Sequence, residues 1–277
     1  MMKCTWKIIN EEKEATKNGM DIQSVVIDNN IITNQNKIAS TLNNYFLFIA
    51  DSVNTDINKH VRSDRFNPIN CLSNSFRRPI SKISQQYAST HKIEKTIKSP
   101  KTKTTCGYDE ISIKCTIHNL TVYIICNAVL SAGVFPGRLK YATVKPIFKK
   151  GDEQDITNYR PISLLTSFSK IIEKLIYTRL HAHIDMNSIL IQEQFDFQTH
   201  YLTEQAAFNL INGILTAMNN NQLIGGIFYD LQKAFDCINH KILLEKLEFY
   251  GVEGKFKPLI ESYLTGRYKR VALDKYN

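Results

Sequence analysis

The stretch YATVKPIFKKGDEQDITNYRPISLL, residues 141–165, determines most of what the sequence predicts about the fold. Two runs rich in β-branched and aromatic residues flank a polar segment. This pattern is typical of a β-hairpin, because strand-forming residues give way to turn-forming residues and then return. We therefore predict strands at Ala142 to Phe148 and around Tyr159 to Leu164, joined by a turn at Lys150-Gly151-Asp152.

Cationic side chains on this hairpin are candidates to hold the phosphates of a nucleotide or a nucleic acid. Lys149 and Lys150 follow the first strand, and Arg160 lies at the start of the second. Arginine binds phosphate through two parallel hydrogen bonds, whereas lysine acts as a point charge. The alternative for Lys149 and Lys150 is a solvated turn, which Lys-Lys-Gly-Asp also fits. Pro146 has no N–H group to donate, and this predicts an edge position for the first strand.

A second stretch, FYDLQKAFDCINH at residues 228–240, contains two carboxylates in a largely apolar setting. The pattern predicts a buried strand from Leu223 to Asp230. An unpaired buried charge is costly, so Asp230 is a candidate ligand for a divalent cation that bridges substrate phosphates. Asp236 does not suit as its partner, because six residues along a helix turn the side chain to another face and six along a strand place it about 20 Å away. A helix N-cap role is the alternative for Asp230.

The composition favours a negatively charged partner. The chain has 277 residues, and its 35 Lys and Arg against 26 Asp and Glu give a net charge of +9. Nucleic acid is the commonest partner of such a protein, and a merely soluble basic protein is the alternative. The six cysteines show no zinc-ligand spacing, which predicts reduced thiols, mostly in the core, and an intracellular location in the nucleus or cytoplasm. The apolar run at residues 120–135 is too short to span a membrane and contains Asn127, so we expect a buried helix and no membrane partner.

The remaining pattern is mainly helical. Residues 51–90 are rich in Ser, Asn and Arg, which predicts a linker or a weakly ordered region. The last residues predict a turn at Thr265-Gly266-Arg267 and then the start of a strand. Thr203 is the predicted N-cap of one helix. Apolar residues at helical spacing predict helices within 38–49, 168–180, 203–218 and 240–250.

Together and in this order, the segments resemble the reverse transcriptase of non-LTR retrotransposons of the jockey-like LINE kind. The resemblance rests on VKPIFKKGDEQDITNYRPISLLTSFSKIIEKLI, EQFDFQ and FYDLQKAFDCINH. It covers about residues 92–277 and is strongest from Ala142 to Phe235. Weaker matches are GYDEIS at residues 107–112 and GVFPGRLKYA before the hairpin.

The resemblance implies an α+β fold: a partial right-hand polymerase with fingers and the first part of the palm, preceded by a mostly helical, partly disordered extension. The expected boundaries are 1–90 for the extension, 91–222 for the fingers-like region with its basic hairpin, and 223–277 for the incomplete palm. The implied reaction is RNA-templated DNA synthesis by two-metal nucleotidyl transfer. Its partners would be an RNA template, a DNA primer and deoxynucleoside triphosphates, and its cofactors two Mg²⁺ or Mn²⁺ ions.

The resemblance also implies roles for individual residues. Asp230 would be the first catalytic carboxylate, with the Leu231 backbone carbonyl as a second metal contact. Phe235 would be the aromatic gate that leaves no room for a 2′-hydroxyl. The hairpin cations Lys149, Lys150 and Arg160 would contact the incoming triphosphate. Clustered positive charge further predicts nucleic-acid contacts at Lys101, Lys103, Lys140, Lys145, Arg267, Lys269 and Arg270.

The chain also departs from the family pattern. Asp196 and Gln198 stand where family members carry Gly and Arg, and Asp forfeits easy access to positive φ. The chain ends at Asn277, before the family's Pro-Gln-Gly segment and the Tyr/Phe-x-Asp-Asp hairpin that supplies the partner carboxylates. We therefore expect an incomplete two-ion site and no polymerisation by this chain by itself. A non-catalytic RNA-binding module and a degraded transposon remnant stay open as alternatives.

Overall fold

The computed structural model describes residues 22–58, 68–76, 80–83, 87–98, 107–111, 120–198, 201–231 and 233–273, which form a mixed α+β fold. The strands are β1 (Val25–Ile27), β2 (Asn30–Ile32), β3 (Tyr141–Phe148), β4 (Tyr159–Leu164) and β5 (Tyr268–Val271). The helices are α1 (Gln35–Asn58), α2 (Pro68–Ser75), α3 (Thr90–Lys98), α4 (Leu120–Ala132), α5 (Ser167–Met186), α6 (Thr203–Asn219), α7 (His240–Phe249) and α8 (Phe256–Leu264).

The predicted basic hairpin is confirmed, and it forms two strands of a three-stranded sheet. The strand order is β4-β3-β5, with β3 antiparallel to β4 and parallel to β5. The prediction that Pro146 marks an edge strand is wrong, since β3 is central. The proline is tolerated because it faces Pro161 on β4, and because β5 pairs only with Tyr141 to Val144 and ends before it.

One face of this sheet packs against the N-terminal part of the chain. Val144 and Tyr159 on the sheet share a buried cluster with Val25 of β1 and with Leu42 and Phe46 of α1. The hairpin β1–β2 turns at Asp28 and Asn29, both with positive φ (48° and 63°), as a two-residue hairpin turn requires. Residues that the sequence assigns to an N-terminal extension therefore contribute directly to the core beneath the sheet.

The second core is helical. Helices α3, α4, α5, α7 and α8 bury a common cluster that includes Ile93, Val122, Ile172 and Leu259. The predicted helix over residues 168–180 is confirmed as α5, and Thr166 caps it by accepting a hydrogen bond from the Ser169 N–H. The predicted helices around 38–49 and 240–250, and the strand after Gly266, are confirmed as α1, α7 and β5.

Several predictions about the remaining segments are corrected. The predicted linker at 51–90 contains the end of α1, helix α2 and the first residue of α3. Leu202, not Thr203, is the N-cap of α6, and its N–H is satisfied by the Gln205 side chain at 3.0 Å. The predicted buried strand from Leu223 to Asp230 is wrong, because these residues form no regular secondary structure and are exposed. A strand needs a neighbour to pair with, and none of the described strands pairs with residues 223–230.

The described cysteines are free thiols, but only one of the three is a core residue. Cys126 is buried on α4, Cys237 is half-buried and Cys71 is exposed. Burial raises the pKa of the Cys126 thiol to about 11. The described helices include none that is both long enough and apolar enough to cross a membrane.

Candidate nucleic-acid and nucleotide interface

The face of the sheet that points away from α1 is exposed and carries the candidate cations. Side chains alternate along a strand, so Lys145 and Ile147 share this face of β3, and Lys149 follows directly after the strand. Directly opposite them on β4, Ile162 pairs with Lys145 and Arg160 pairs with Ile147. Ile147 and Ile162 are about half exposed, at 51% and 45%, so this face is uncovered in the described part of the chain.

The tip of the hairpin holds Lys149 and Lys150 in solvent. The Lys149 N–H donates to the Asn158 carbonyl at 2.9 Å, which closes the loop between the strands. Gly151 has a φ of 101°, and a Cβ atom there would lie 2.7 Å from the Asn158 side chain. This positive φ favours glycine at the position, because other residues would be strained there. Both lysine side chains are exposed, as is Arg160.

A cluster of three tyrosines extends the same face towards β5. Tyr141 and Tyr268 are register partners on β3 and β5, and their rings stack 4.9 Å apart with an interplanar angle of 14°. Tyr108 packs edge-on against Tyr141 at 6.0 Å. Tyr141 and Tyr268 remain 47% and 59% exposed. No local sequence pattern identifies this pair, because its proximity depends on the parallel pairing of strands 127 residues apart along the chain.

The segment 107–111 positions the third tyrosine. A Cβ atom at Gly107 would lie 2.6 Å from the Thr166 backbone nitrogen, so this glycine permits close packing against the start of α5. The Ser167 hydroxyl donates to the Ile111 carbonyl at 2.6 Å, and the Tyr108 hydroxyl donates to the Arg138 carbonyl at 2.6 Å. The GYDEI part of the weaker sequence match therefore places Tyr108 beside the sheet.

The other predicted nucleic-acid contacts fall into different environments. Lys269 and Arg270 on β5 are exposed. Lys140 approaches the Ser262 hydroxyl at 3.4 Å. Arg267 is engaged within the protein: its guanidinium donates to the Tyr263 carbonyl at 3.1 Å, lies over the Tyr263 ring and faces Glu173 at 3.7 Å. Lys101 and Lys103 lie outside the described residues.

Asp230 and Leu231 lie in an exposed segment and are not gathered with other acidic groups. In the part of the chain that the structure describes, the Asp230 carboxylate forms no hydrogen bond or ion pair, and no three His, Cys, Asp or Glu side chains cluster as metal ligands. The described residues therefore do not by themselves fit a two-ion centre, and we assign no chemical step to one.

The turn that follows Asp230 is tied to α1. Lys233 has a positive φ of 52°, and its ammonium group donates to the Tyr45 hydroxyl at 3.0 Å. Phe235 is 74% exposed and meets Phe197 edge-on at 6.0 Å. In the EQFDFQ segment the residue with positive φ is Phe197, at 62°, and not Asp196. Aspartate in place of the family's glycine at position 196 is therefore not strained by a positive φ.

Comparison with known proteins relates the second half of the chain to a known family. The family model for reverse transcriptase (RNA-dependent DNA polymerase) matches residues 147–276. The RNA-directed DNA polymerase from mobile element jockey of Drosophila melanogaster is 35% identical over 158 residues, which are 55% of this chain and 17% of the relative. The probable RNA-directed DNA polymerase from transposon BS of the same species is 33% identical over 187 residues, 63% of this chain and 20% of the relative.

The chain thus spans a fifth or less of these two relatives. The matched region nevertheless contains most of the hairpin, α5, the segment around Asp230 and β5. Apart from β5, these are segments on which the resemblance in the sequence rests. By these matches, residues 147–276 match the reverse transcriptase family, and the chain is similar to the RNA-directed DNA polymerases of Drosophila mobile elements.

Proposed function

We propose that this chain supplies the fingers and the first part of the palm of a reverse transcriptase that synthesises DNA on an RNA template. In this proposal the exposed face of the sheet holds the nucleic acid and the incoming deoxynucleoside triphosphate. The observation that supports it best is the arrangement of Lys145, Arg160 and the stacked Tyr141 and Tyr268 on one uncovered face. Cations that follow the backbone, combined with aromatic rings on which bases stack, are the usual means of binding a single strand.

Within this function, Arg160, Lys149 and Lys150 contact the triphosphate. Pro161 restricts the preceding Arg160 to extended backbone, and the register with Ile147 fixes the face on which its guanidinium lies. An arginine held in this way offers two parallel donors to one phosphate group. Asp230, the Leu231 carbonyl and Phe235 keep their proposed roles at the metal site and the sugar gate. In this proposal, groups outside the described residues supply the partner carboxylates of Asp230, and the ions are Mg²⁺ or Mn²⁺.

The test is a kinetic one on Arg160. We would place residues 92–277 of this chain in the corresponding position of the jockey relative and compare Arg160→Ala with Lys241→Ala, an exposed lysine on α7. Removing a charge-assisted hydrogen bond of about 1.5–3 kcal/mol should raise the KM for deoxynucleotides about 10- to 150-fold. Template affinity should change far less, and Lys241→Ala should change neither. Equal losses in both quantities would show that Arg160 follows the nucleic-acid backbone instead.

A second candidate function is RNA binding without chemistry. It is favoured by the same cationic face together with the isolated position of Asp230 in the described part of the chain. The two functions separate on Asp230→Asn in the hybrid polymerase. DNA synthesis that disappears while RNA affinity is unchanged supports the polymerase. Synthesis that is equally present in both proteins would remove Asp230 from the catalytic site.

A further inference from the structure

A cavity of about 570 Å³ lies between α3 and α5 and is closed on one side by residues 81–83. On α5, Lys174 and Arg179 line it, and on α3, Lys92 and Lys95 line it. The spacing of Lys92 and Lys95 places them on the same side of α3, on either side of the buried Ile93. This cavity involves none of the residues on the exposed face of the sheet.

The lining is strongly positive. Five cationic side chains contribute to it, and it contains no Asp or Glu from the described part of the chain. Lys82 at the rim is neutralised by Glu253 at 2.6 Å. Lys92 and Lys95 are exposed and form no ion pair with any described residue. Burial lowers the pKa of the Arg179 guanidinium, because the charged form is partly removed from water.

The walls of the cavity are fixed by contacts that do not use these cations. Asn127 of α4 binds both backbone groups of Ala88, at 2.9 and 3.1 Å, and so fixes the entry to α3. The Ser81 N–H and hydroxyl both donate to the Asn187 side chain, at 3.1 and 2.8 Å. The Ile83 N–H donates to the Gly251 carbonyl at 2.9 Å. A binding site that exists before its ligand arrives loses less conformational entropy on binding.

We propose that this cavity binds phosphate groups of the nucleic-acid backbone, as a contact separate from the sheet face. The inference rests on the proposed function, because it extends the path of the same nucleic acid to α3 and α5. Several cations that line one cavity, with no Asp or Glu in its described lining, match a polyanion. Each phosphate that they neutralise releases counterions. The side chains that would make the contact are Lys92, Lys95, Lys174 and Arg179.

The test compares three double variants of this chain that each remove two positive charges. Lys92→Gln with Lys95→Gln alters the cavity, Lys145→Gln with Arg270→Gln alters the sheet face, and Lys241→Gln with Lys255→Gln changes exposed lysines elsewhere. The probe is a 5′-labelled 16-nucleotide RNA, followed by fluorescence anisotropy over a range of salt concentrations. For single strands the slope of log K against log salt should fall by about 0.7 for each phosphate that the variant no longer neutralises, or about 1.4 for the cavity variant.

The three variants distinguish this inference from the function on which it rests. A cavity variant that matches the Lys241/Lys255 control overturns the inference, because the loss would then reflect net charge alone. A smaller slope in the sheet-face variant alone overturns the inference and leaves the sheet face in place. A smaller slope in the cavity variant alone supports the cavity and counts against the sheet face. Displacement of RNA by millimolar inorganic phosphate at constant ionic strength, absent in the cavity variant, would show a free-anion site and overturn the assignment to nucleic acid.

Discussion

Tyr268→Leu removes the most exposed ring of the tyrosine cluster and should weaken the binding of single-stranded RNA. The ring is 59% exposed and stacks on Tyr141 at 4.9 Å. Because one side of each ring already faces the other, a base can stack only on the outer side or against an edge. Leucine keeps apolar volume on β5 and removes the π-face.

The magnitude follows from the stacking energy. A base stacked on an aromatic side chain contributes about 1–3 kcal/mol, and one available side corresponds to the lower part of that range. A loss of about 1–2 kcal/mol lowers the affinity about 5- to 30-fold. The same substitution also removes the packing between the two tyrosine rings, which costs about 0.5–1.5 kcal/mol of folding stability. The two effects must therefore be measured separately.

The assay is fluorescence anisotropy with a labelled RNA, accompanied by urea unfolding of each variant. Phe48→Leu is the matched control, because Phe48 on α1 is 62% exposed and lies away from the sheet face. Tyr268→Phe keeps the ring and should bind like the wild type. The proposal fails if Tyr268→Leu and Phe48→Leu bind RNA equally well. It also fails if Tyr268→Phe loses as much affinity as Tyr268→Leu, since the hydroxyl and not the ring would then be responsible.

Two further predictions concern stability. Asn127→Leu leaves the N–H and the carbonyl of the buried Ala88 without the Asn127 side chain as a partner. It should lower the free energy of unfolding, measured in urea titrations, by about 2–6 kcal/mol. The control Ser131→Ala, on the same helix, should have little effect. Glu173→Gln should stabilise the protein at pH 7. Burial raises the pKa of the Glu173 carboxyl in spite of Arg267, Ser169 and Tyr263, so the folded state holds the proton more tightly than the unfolded state. The folded state loses this stabilisation as the pH rises through the raised pKa. The gain should shrink as the pH is lowered towards 4.5 and vanish below it, and a gain that is the same at every pH would contradict this, with exposed Glu245→Gln as the control for lost charge.

Local patterns account for the parts of the fold that sequence analysis predicted. The hairpin β3–β4 and helix α5 are each specified by residues close together in the chain, through alternation, the positive φ at Gly151 and the cap at Thr166. The parallel pairing of β5 with β3 brings together distant segments, and no local pattern reports it. For this reason the central position of β3 and the stacking of Tyr141 on Tyr268 emerged only from the structure.

Charge counts predict a basic protein but do not distinguish a cation that binds a ligand from one that stabilises the fold. Arg267 and Arg160 both looked like candidates for binding nucleic acid. Arg267 is occupied by Tyr263 and Glu173, whereas Arg160 lies exposed on the sheet face. The cavity lined by Lys92 and Lys174 cannot be predicted from local sequence, because its cations come from two helices that are far apart in the chain. Only the packing of α3 against α5 makes them neighbours.

The apolar face of α6 shows what periodicity can establish and what it leaves open. The spacing of Ile211, Ile214, Leu215 and Met218 correctly predicts a helix, and it also predicts a covered face. None of the residues of α6 is buried, and the apolar residues of the following segment, 223–231, are exposed as well. An isolated helix and an unpaired strand gain little stability from their own backbone hydrogen bonds. A helix or strand with an apolar face is therefore stabilised mainly where another surface covers that face. The described residues do not provide that surface, and the strand predicted to present Asp230 is not formed.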